Sequence, residues 1–245
     1  MDIASFQKVS LQDYPGLISA ICFTRGCNLR CPYCHNPDLV LFDIDRDESQ
    51  NKHKEFIEYI TLRKNMLEGV TVSGGEPLIH KDLVDLIYQI KNLNLKVKLD
   101  TNGMFPNRLK FLLDKNLIDY IALDYKGSSQ SLNKAVGLNE NINLLSKPWL
   151  KSFEIIIKSG VDYELRTTVV KGIHSNEDLI LMARELKNSL TKPVSKWFLQ
   201  SFEEQTDVLG KFTRNLIPLS SYSKAELTKI KEKTKEIVPE VNLRI

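Results

Sequence analysis

The run Cys22-Phe-Thr-Arg-Gly-Cys27-Asn-Leu-Arg-Cys31-Pro-Tyr-Cys34-His-Asn-Pro37 holds all four cysteines of a 245-residue chain. Gaps of three and then two residues separate Cys27, Cys31 and Cys34. A cubane iron–sulfur cluster takes four thiolates and this loop offers three, so one iron would stay open to a substrate or cofactor. Cys22 sits in the apolar run Leu17-Ile-Ser-Ala-Ile-Cys22-Phe23 and reads as a small buried hydrophobe in a strand. No cysteine follows Cys34, which leaves no thiols for a second cluster. His35 directly adjoins Cys34, too close to ligate the same metal comfortably, and reads as a hydrogen-bonding neighbour.

Downstream of this loop, strand-like and helix-like segments alternate. Gly69 to Ser73 is a short β-branched run, and Leu83, Leu86, Ile87 and Ile90 then follow the spacing of an amphipathic helix. Leu95 to Leu99 alternates, a helix covers about Pro106 to Lys115, and Tyr120 to Leu123 is a third apolar run. Pro106 suits a first helical turn, where its missing amide hydrogen has no partner anyway. A helix over about Asn141 to Ser159 should break at Pro148. Strand Tyr163 to Val170, helix Asn176 to Asn188, strand Lys196 to Gln200 and helix Lys224 to Ile237 complete the series. The Asp-rich stretch Phe42 to Asn51 reads as a loop, and Ser201 to Ser221 as irregular chain covering one end. Six β–α units predict an α/β fold, a partial (β/α)6 TIM-like barrel. The expected organisation is one domain over 1–245: an N-terminal arm (1–16), a barrel core (17–202) and a C-terminal extension (203–245).

In such a barrel, chemistry gathers at the carboxyl ends of the strands. The unusual residues fall there: the cysteine loop, Ser73-Gly74-Gly75-Glu76-Pro77, Asp100-Thr101-Asn102-Gly103, Asp124-Tyr125-Lys126-Gly127, Arg166-Thr167-Thr168 and Gln200-Ser201. Gly74 and Gly75 permit a close backbone approach to a ligand, Glu76 can accept from an ammonium, and Pro77 starts the helix. The same four residues also make an ordinary strand-to-helix turn. Asp100 and Asp124 can jointly hold a cation, or Asp100 can cap the Asn102-Gly103 turn. Lys126 can pair with a carboxylate. Arg166, in an apolar strand, requires an acidic partner, either as a structural ion pair or beside a ligand.

Composition narrows the function classes. With 34 basic and 31 acidic residues, the net charge of +3 argues for neither nucleic acid nor membrane as a partner. Met1-Asp-Ile-Ala-Ser-Phe-Gln lacks the pattern of a secretory signal and no apolar run reaches membrane-spanning length, so the chain reads as cytoplasmic.

Taken together, the cysteine loop, Gly-Gly-Glu-Pro and Asp-Thr-Asn-Gly resemble the radical S-adenosylmethionine (SAM) superfamily. More narrowly, the chain looks like its glycyl-radical-activating branch: anaerobic ribonucleoside-triphosphate reductase activating proteins and pyruvate formate-lyase activating enzymes. Supporting phrases are Leu11-Gln-Asp-Tyr-Pro-Gly16, Cys31-Pro-Tyr-Cys-His-Asn-Pro37, Val97 to Gly103 and Tyr163 to Val170. The resemblance runs from about Val9 to the Phe198-Leu-Gln-Ser region. It implies a 4Fe–4S cluster on Cys27, Cys31 and Cys34 as metal ligands, with SAM chelating the fourth iron. Reductive cleavage then gives a 5′-deoxyadenosyl radical, which takes hydrogen from a backbone glycine of a partner enzyme. By the same resemblance Gly74, Gly75 and Glu76 meet the methionine amino group and Tyr33 the adenine. Asp100, Thr101 and Asp124 would form a monovalent-cation site with Lys126 beside it, and Arg166, Thr168 and Val170 line the nucleoside side. Some relatives carry a histidine near the ribose where this chain has Gln200, which can hydrogen-bond but cannot titrate near neutral pH.

Three functions follow for weighing. One is an activase acting on a glycyl radical enzyme, an anaerobic ribonucleoside-triphosphate reductase, with a flavodoxin or ferredoxin as electron donor. Another is a radical SAM enzyme for a purine- or pterin-like small molecule, similar to the carboxy-deazaguanine synthases. A zinc or thiol-redox role for Cys31-Pro-Tyr-Cys34 fits less well, because structural zinc takes four closed ligands and a fourth is not evident.

Overall fold

The computed structural model describes residues 1–41, 46–189, 194, 196–204, 207–212 and 217–244. Strands β1 (Ile3–Ser10) and β2 (Ser19–Thr24) lead into the cysteine loop, followed by helices α1 (Asp38–Leu41) and α2 (Arg46–Arg63). Then come β3 (Gly69–Gly74), a 3-10 turn at Pro77–Ile79, α3 (Leu83–Asn92), β4 (Lys96–Thr101), α4 (Pro106–Asp114) and β5 (Tyr120–Asp124). Helices α5 (Leu132–Val136) and α6 (Ile142–Ser159), β6 (Asp162–Val169), α7 (Asn176–Ser189) and β7 (Trp197–Ser201) follow. The chain ends with α8 (Leu209–Phe212), α9 (Lys224–Lys235) and β8 (Val241–Arg244).

All eight strands form one sheet in chain order, β1 antiparallel to β2 and every later neighbour parallel. Strands β2 to β7 are the six expected units of a partial barrel. The structure adds a parallel strand, β8, beyond β7, and converts half of the expected N-terminal arm into β1. Two edges remain, at β1 and β8, so the sheet stays open.

Parallel strands need long crossovers, and here helices supply them. Leu83, Leu86, Ile87 and Ile90 of α3, Leu109, Leu112 and Leu113 of α4, and Leu179, Met182, Ala183 and Leu186 of α7 are all buried. They pack on Val70, Val72, Val97, Leu99, Ile121, Leu123, Leu165, Val169 and Leu199, one face of the sheet. The other face of the central strands is polar: Thr71 and Ser73, Lys98 and Asp100, Tyr120 and Asp124, Glu164, Arg166 and Thr168. Strict alternation along each strand separates the two sets.

Several local expectations change. Helix α6 runs unbroken through Pro148, because burial of Leu145, Trp149, Ser152, Phe153 and Ile156 outweighs the one hydrogen bond that a proline removes. Residues 46–51 of the expected acidic loop are helical, while 42–45 lie outside the described residues. Phe56 and Ile60, four apart and fully buried, anchor that helix. Pro77 opens the 3-10 turn, and the helix proper starts only at Leu83. Within Ser201 to Ser221, 205–206 and 213–216 lie outside the described residues, but the remainder includes α8 and a bridge from Ser220 to Lys171. Among the described residues no helix is long and apolar enough to cross a membrane.

Candidate functional site

The cysteine loop is held by its own backbone and by neighbouring turns. Arg30 Nη1 donates to the carbonyls of Cys27 at 2.7 Å and Leu29 at 2.8 Å. The Arg30 amide donates to Val136 O at 2.9 Å, and Gly26 N to Leu39 O at 2.7 Å. From α8, the amides of Leu209 and Gly210 donate to Cys34 O and Pro32 O at 3.0 and 2.8 Å. The irregular segment after β7 therefore grips the loop that carries the thiols. All four cysteines are free. Burial pushes the Cys27 thiol up to about 12 and the Cys31 thiol up to about 11, so both are protonated near neutrality until a metal displaces the proton. Cys22 is fully buried, and burial pushes it up to about 12, in keeping with an inert core thiol.

Cys27, Cys31 and Cys34 line one cavity of about 220 Å³, together with Tyr33, Gly74, Gly75, Asp124, Lys126 and Thr168. Among the described residues no three His, Cys, Asp or Glu side chains converge on a single-ion site. Three thiols on one cavity wall match the ligand set of a cube that leaves one iron open. The donor chemistry fits as well: three sulfurs, with no fourth thiol in the chain after Cys34. His35 shares the wall, stacks on Phe202 with centroids 5.2 Å apart, and keeps its Nδ1 buried without a hydrogen-bond partner among the described residues.

The glycine pair works mainly by backbone packing. A Cβ on Gly75 would stand 2.0 Å from Gly26 O, and one on Gly74 would stand 2.2 Å from Thr24 N. The end of β3 thus nests against the root of the cysteine loop, with Gly75 N donating to Thr24 O and Glu76 N to Gly26 O, each at 2.9 Å. Glu76 is fully buried and faces inward, not into the cavity. Its Oε1 accepts from Thr101 Oγ1 at 2.8 Å and Leu78 N at 3.1 Å, and its Oε2 accepts from Asn102 N at 2.7 Å. Burial pushes its carboxyl up to about 7, against the pull of those three donors. Its role here is a clamp between the ends of β3 and β4.

Asp100 and Asp124, for which the resemblance implies a monovalent-cation site, share a protein cation. Arg166 lies 3.2 Å from Asp100 Oδ2 and 3.4 Å from Asp124 Oδ1. Lys98 also pairs with Asp100, and Ser73 Oγ donates to it at 3.0 Å. Burial alone would raise the Asp100 carboxyl, but Arg166 and Lys98 overcome it and hold it below the usual carboxylate range. Asp100 therefore does not cap the Asn102-Gly103 turn; Asn102 does so itself, its Oδ1 accepting from Met104 N at 3.1 Å. Lys126 Nζ sits 3.1 Å from Asp124 Oδ2. Although burial works against its charge, the Asp124 carboxylate holds the ammonium well above its ordinary value.

Of the expected site residues, the structure brings the three cysteines, Tyr33, Gly74, Gly75, Asp124, Lys126 and Thr168 onto the cavity. Glu76, Asp100, Thr101, Arg166, Val170 and Gln200 stand behind or beside it. Gln200 pairs in register with Thr168, on the same sheet face. Sequence reasoning missed Asn102 as a wall residue and its bond from Nδ2 to Asn28 Oδ1, 2.9 Å. It also missed Lys98, whose strand alternation looked solvent-facing but whose side chain is 2% exposed. Asp100, two residues on and on the same face, was the available signal.

Comparisons with known proteins agree with this geometry. The Radical SAM superfamily model matches residues 21–186. A Methanocaldococcus jannaschii protein named as a glycyl-radical enzyme activating enzyme is 30% identical over 234 residues, covering 94% of this chain and 92% of its own. The pyruvate formate-lyase-activating enzyme of Streptococcus mutans is 28% identical, covering 76% of this chain and 72% of its own. A GTP 3′,8-cyclase of Synechocystis is 32% identical over 67% of this chain, but the match spans 49% of that protein. Among solved structures, a radical SAM methyltransferase from Sphaerobacter thermophilus shares the fold, with a TM-score of 0.67, 14% identity and coverage of 94% of this chain and 67% of that one. On the family match and the jannaschii relative, with the cysteine loop at the mouth of a partial barrel, the chain belongs to the radical SAM superfamily and is an enzyme of that kind.

Proposed function

We propose that the chain is a glycyl-radical enzyme activating enzyme, that its partner is an anaerobic ribonucleoside-triphosphate reductase, and that a flavodoxin or ferredoxin reduces it. The observation that carries the reading is the meeting of three free thiols with Lys126, Asp124 and the Gly74-Gly75 turn on one cavity wall at the carboxyl ends of the strands. The relatives named for glycyl-radical activation favour the partner class. When bound, a 4Fe–4S cluster and SAM supply one-electron cleavage of a sulfonium, and so a carbon radical able to take hydrogen from a glycine. The chain's own residues bind and orient. Cys27, Cys31 and Cys34, once deprotonated, would hold the cluster. Lys126 presents an ammonium for a carboxylate, with Asp124 keeping it charged. Gly74 and Gly75 set the loop's height, and Tyr33, Thr168 and Leu29 narrow the cavity around an adenosyl group.

A second reading, a small-molecule substrate of purine or pterin type, draws on the GTP 3′,8-cyclase relative. The test is anaerobic reconstitution, reduction, addition of SAM and incubation with candidate glycyl radical enzymes, followed by electron paramagnetic resonance. A glycine-centred radical supports the activase. Its absence with every candidate, beside turnover of a nucleotide, would favour the second reading. Replacing Cys27, Cys31 or Cys34 by alanine should abolish both iron binding and 5′-deoxyadenosine formation, whereas Cys22→Ala should preserve both.

A further inference from the structure

His174 lies in the turn between β6 and α7, is 1% exposed, and falls outside every motif considered above. Its ring is held at both nitrogens. Val170 N donates to Nδ1 at 3.2 Å, and Nε2 lies 2.8 Å from Lys126 O. A backbone amide can only donate and a carbonyl can only accept, so Nδ1 must be bare and Nε2 must carry the proton. One neutral tautomer satisfies both bonds. The ring also meets Tyr33 edge-on, centroids 6.4 Å apart at 64°. One imidazole therefore touches the end of β6, the segment after β5 and the cysteine loop.

Around it, the segment from Lys126 to Ser129 is pinned repeatedly from α7. Ser128 Oγ donates to the buried Asp178, and Ser129 N and Oγ donate to Glu185 Oε1 at 3.1 and 2.5 Å. Those bonds hold the far end of the segment and Thr167 Oγ1 holds the Tyr125 carbonyl at 2.6 Å; among the described residues it is His174 that holds the carbonyl of Lys126 itself. Tyr222 Oη donates to His174 O at 2.7 Å and fixes the turn from the C-terminal side.

We infer that His174 is a positioning residue: as a fixed neutral tautomer it sets the backbone of Lys126, and thereby the place of the Lys126 ammonium beside Asp124 on the cavity wall. The inference rests on the SAM reading for what that ammonium binds, but not for the tautomer or the segment.

The test uses the full chain, reconstituted with iron and sulfide. Long-range nitrogen–proton spectra of ring-labelled protein should show His174 as the Nε2–H tautomer. His174→Phe keeps a ring against Tyr33 but has no donor, while His174→Gln keeps a donor for the Lys126 carbonyl. His174→Phe should leave iron content unchanged, speed amide exchange in residues 126–129, and weaken SAM binding by about tenfold, roughly the worth of one buried hydrogen bond. His174→Gln should recover most of that affinity, and it stands in if the phenylalanine variant does not fold. In a Lys126→Met background, His174→Phe should add almost nothing. The opposite tautomer, unchanged exchange at 126–129 in His174→Phe, or a full additive loss in the double variant would each overturn the inference. If the parent protein binds no SAM, the functional reading falls, and the tautomer and exchange data still decide the role of His174.

Discussion

Gly75→Ala isolates the seat of the cysteine loop. Gly75 has no left-handed backbone, so alanine meets no conformational penalty and the effect is steric. The new methyl would sit 2.0 Å from Gly26 O and 2.7 Å from Gly26 C, where ordinary contact begins near 3.4 Å. Strand end and loop must separate by more than an ångström, and the 2.9 Å bond from Glu76 N to Gly26 O is lost with that movement. Overpacking of this kind costs about 1–3 kcal/mol, and an unmade buried backbone hydrogen bond about 1–3 kcal/mol. Part of the second is recovered by relaxation, so a combined loss of about 2–5 kcal/mol is expected. Urea unfolding of the metal-free protein reads the stability, and iron content after anaerobic reconstitution reads the displacement of Cys27. Gly16→Ala is the comparison: its methyl meets nothing within 4 Å, and only the left-handed backbone at φ 76° is strained, which costs about 1 kcal/mol. Should Gly75→Ala unfold within about 1 kcal/mol of the parent and bind a full complement of iron, the packing argument for the glycine pair is wrong.

Glu76→Gln replaces an acceptor oxygen with an amino group facing donors, and is expected to destabilise by about 1–3 kcal/mol. Burial lifts the native Glu76 carboxyl from 4.5 to about 7, so the folded state binds more protons across that interval and stability falls as pH rises through it; stability–pH curves for Glu76→Gln should lack that slope. Glu226 behaves in the opposite sense. Lys171 and Ser223 pull its carboxyl down to about 2, so its contribution is present above 4.5 and lost as pH falls toward 2, and acid titration of Glu226→Gln should show a shallower loss. Arg166→Leu removes the cation that Asp100 and Asp124 share but leaves Lys98 on the first and Lys126 on the second, so it should cost about 1–3 kcal/mol in chemical denaturation, short of the loss for a buried charge left wholly unpaired and more than removing an exposed ion pair.

The parallel core was legible because its strands are β-branched and apolar on the helix-facing side, and because helices α3, α4 and α7 carry three–four spacing. Edge elements were not. In β1 six of eight residues are at least partly exposed and polar residues interrupt the alternation, while β8 offers only Val241 and Leu243 as apolar positions. Helix α2 hides behind charged first turns, with only Phe56 and Ile60 to mark its buried stripe. At the site, the rim position of each motif could be read from where it falls after a strand. The direction of each side chain could not, since that depends on partners distant in sequence. Asp100 meets Arg166, and Glu76 meets Thr101 and Asn102. Arg166 follows the same rule: two carboxylates at adjacent strand ends announce a positive partner, and only the register of β5 with β6, Asp124 beside Arg166, says that the chain supplies one of its own.

Strand β8 joins the sheet late in the chain, yet it reaches the molecule's polar inside. Arg244 forks onto Glu164 at 3.2 and 3.1 Å, and Glu164 is 2% exposed. Clipping the chain ahead of Val241 would therefore withdraw a countercharge from deep in the half-barrel, two residues below Arg166, and leave a carboxylate held by Tyr120 Oη alone among the described side chains to compete for the guanidinium that steadies the mouth. Electrically, the tail belongs to that chamber.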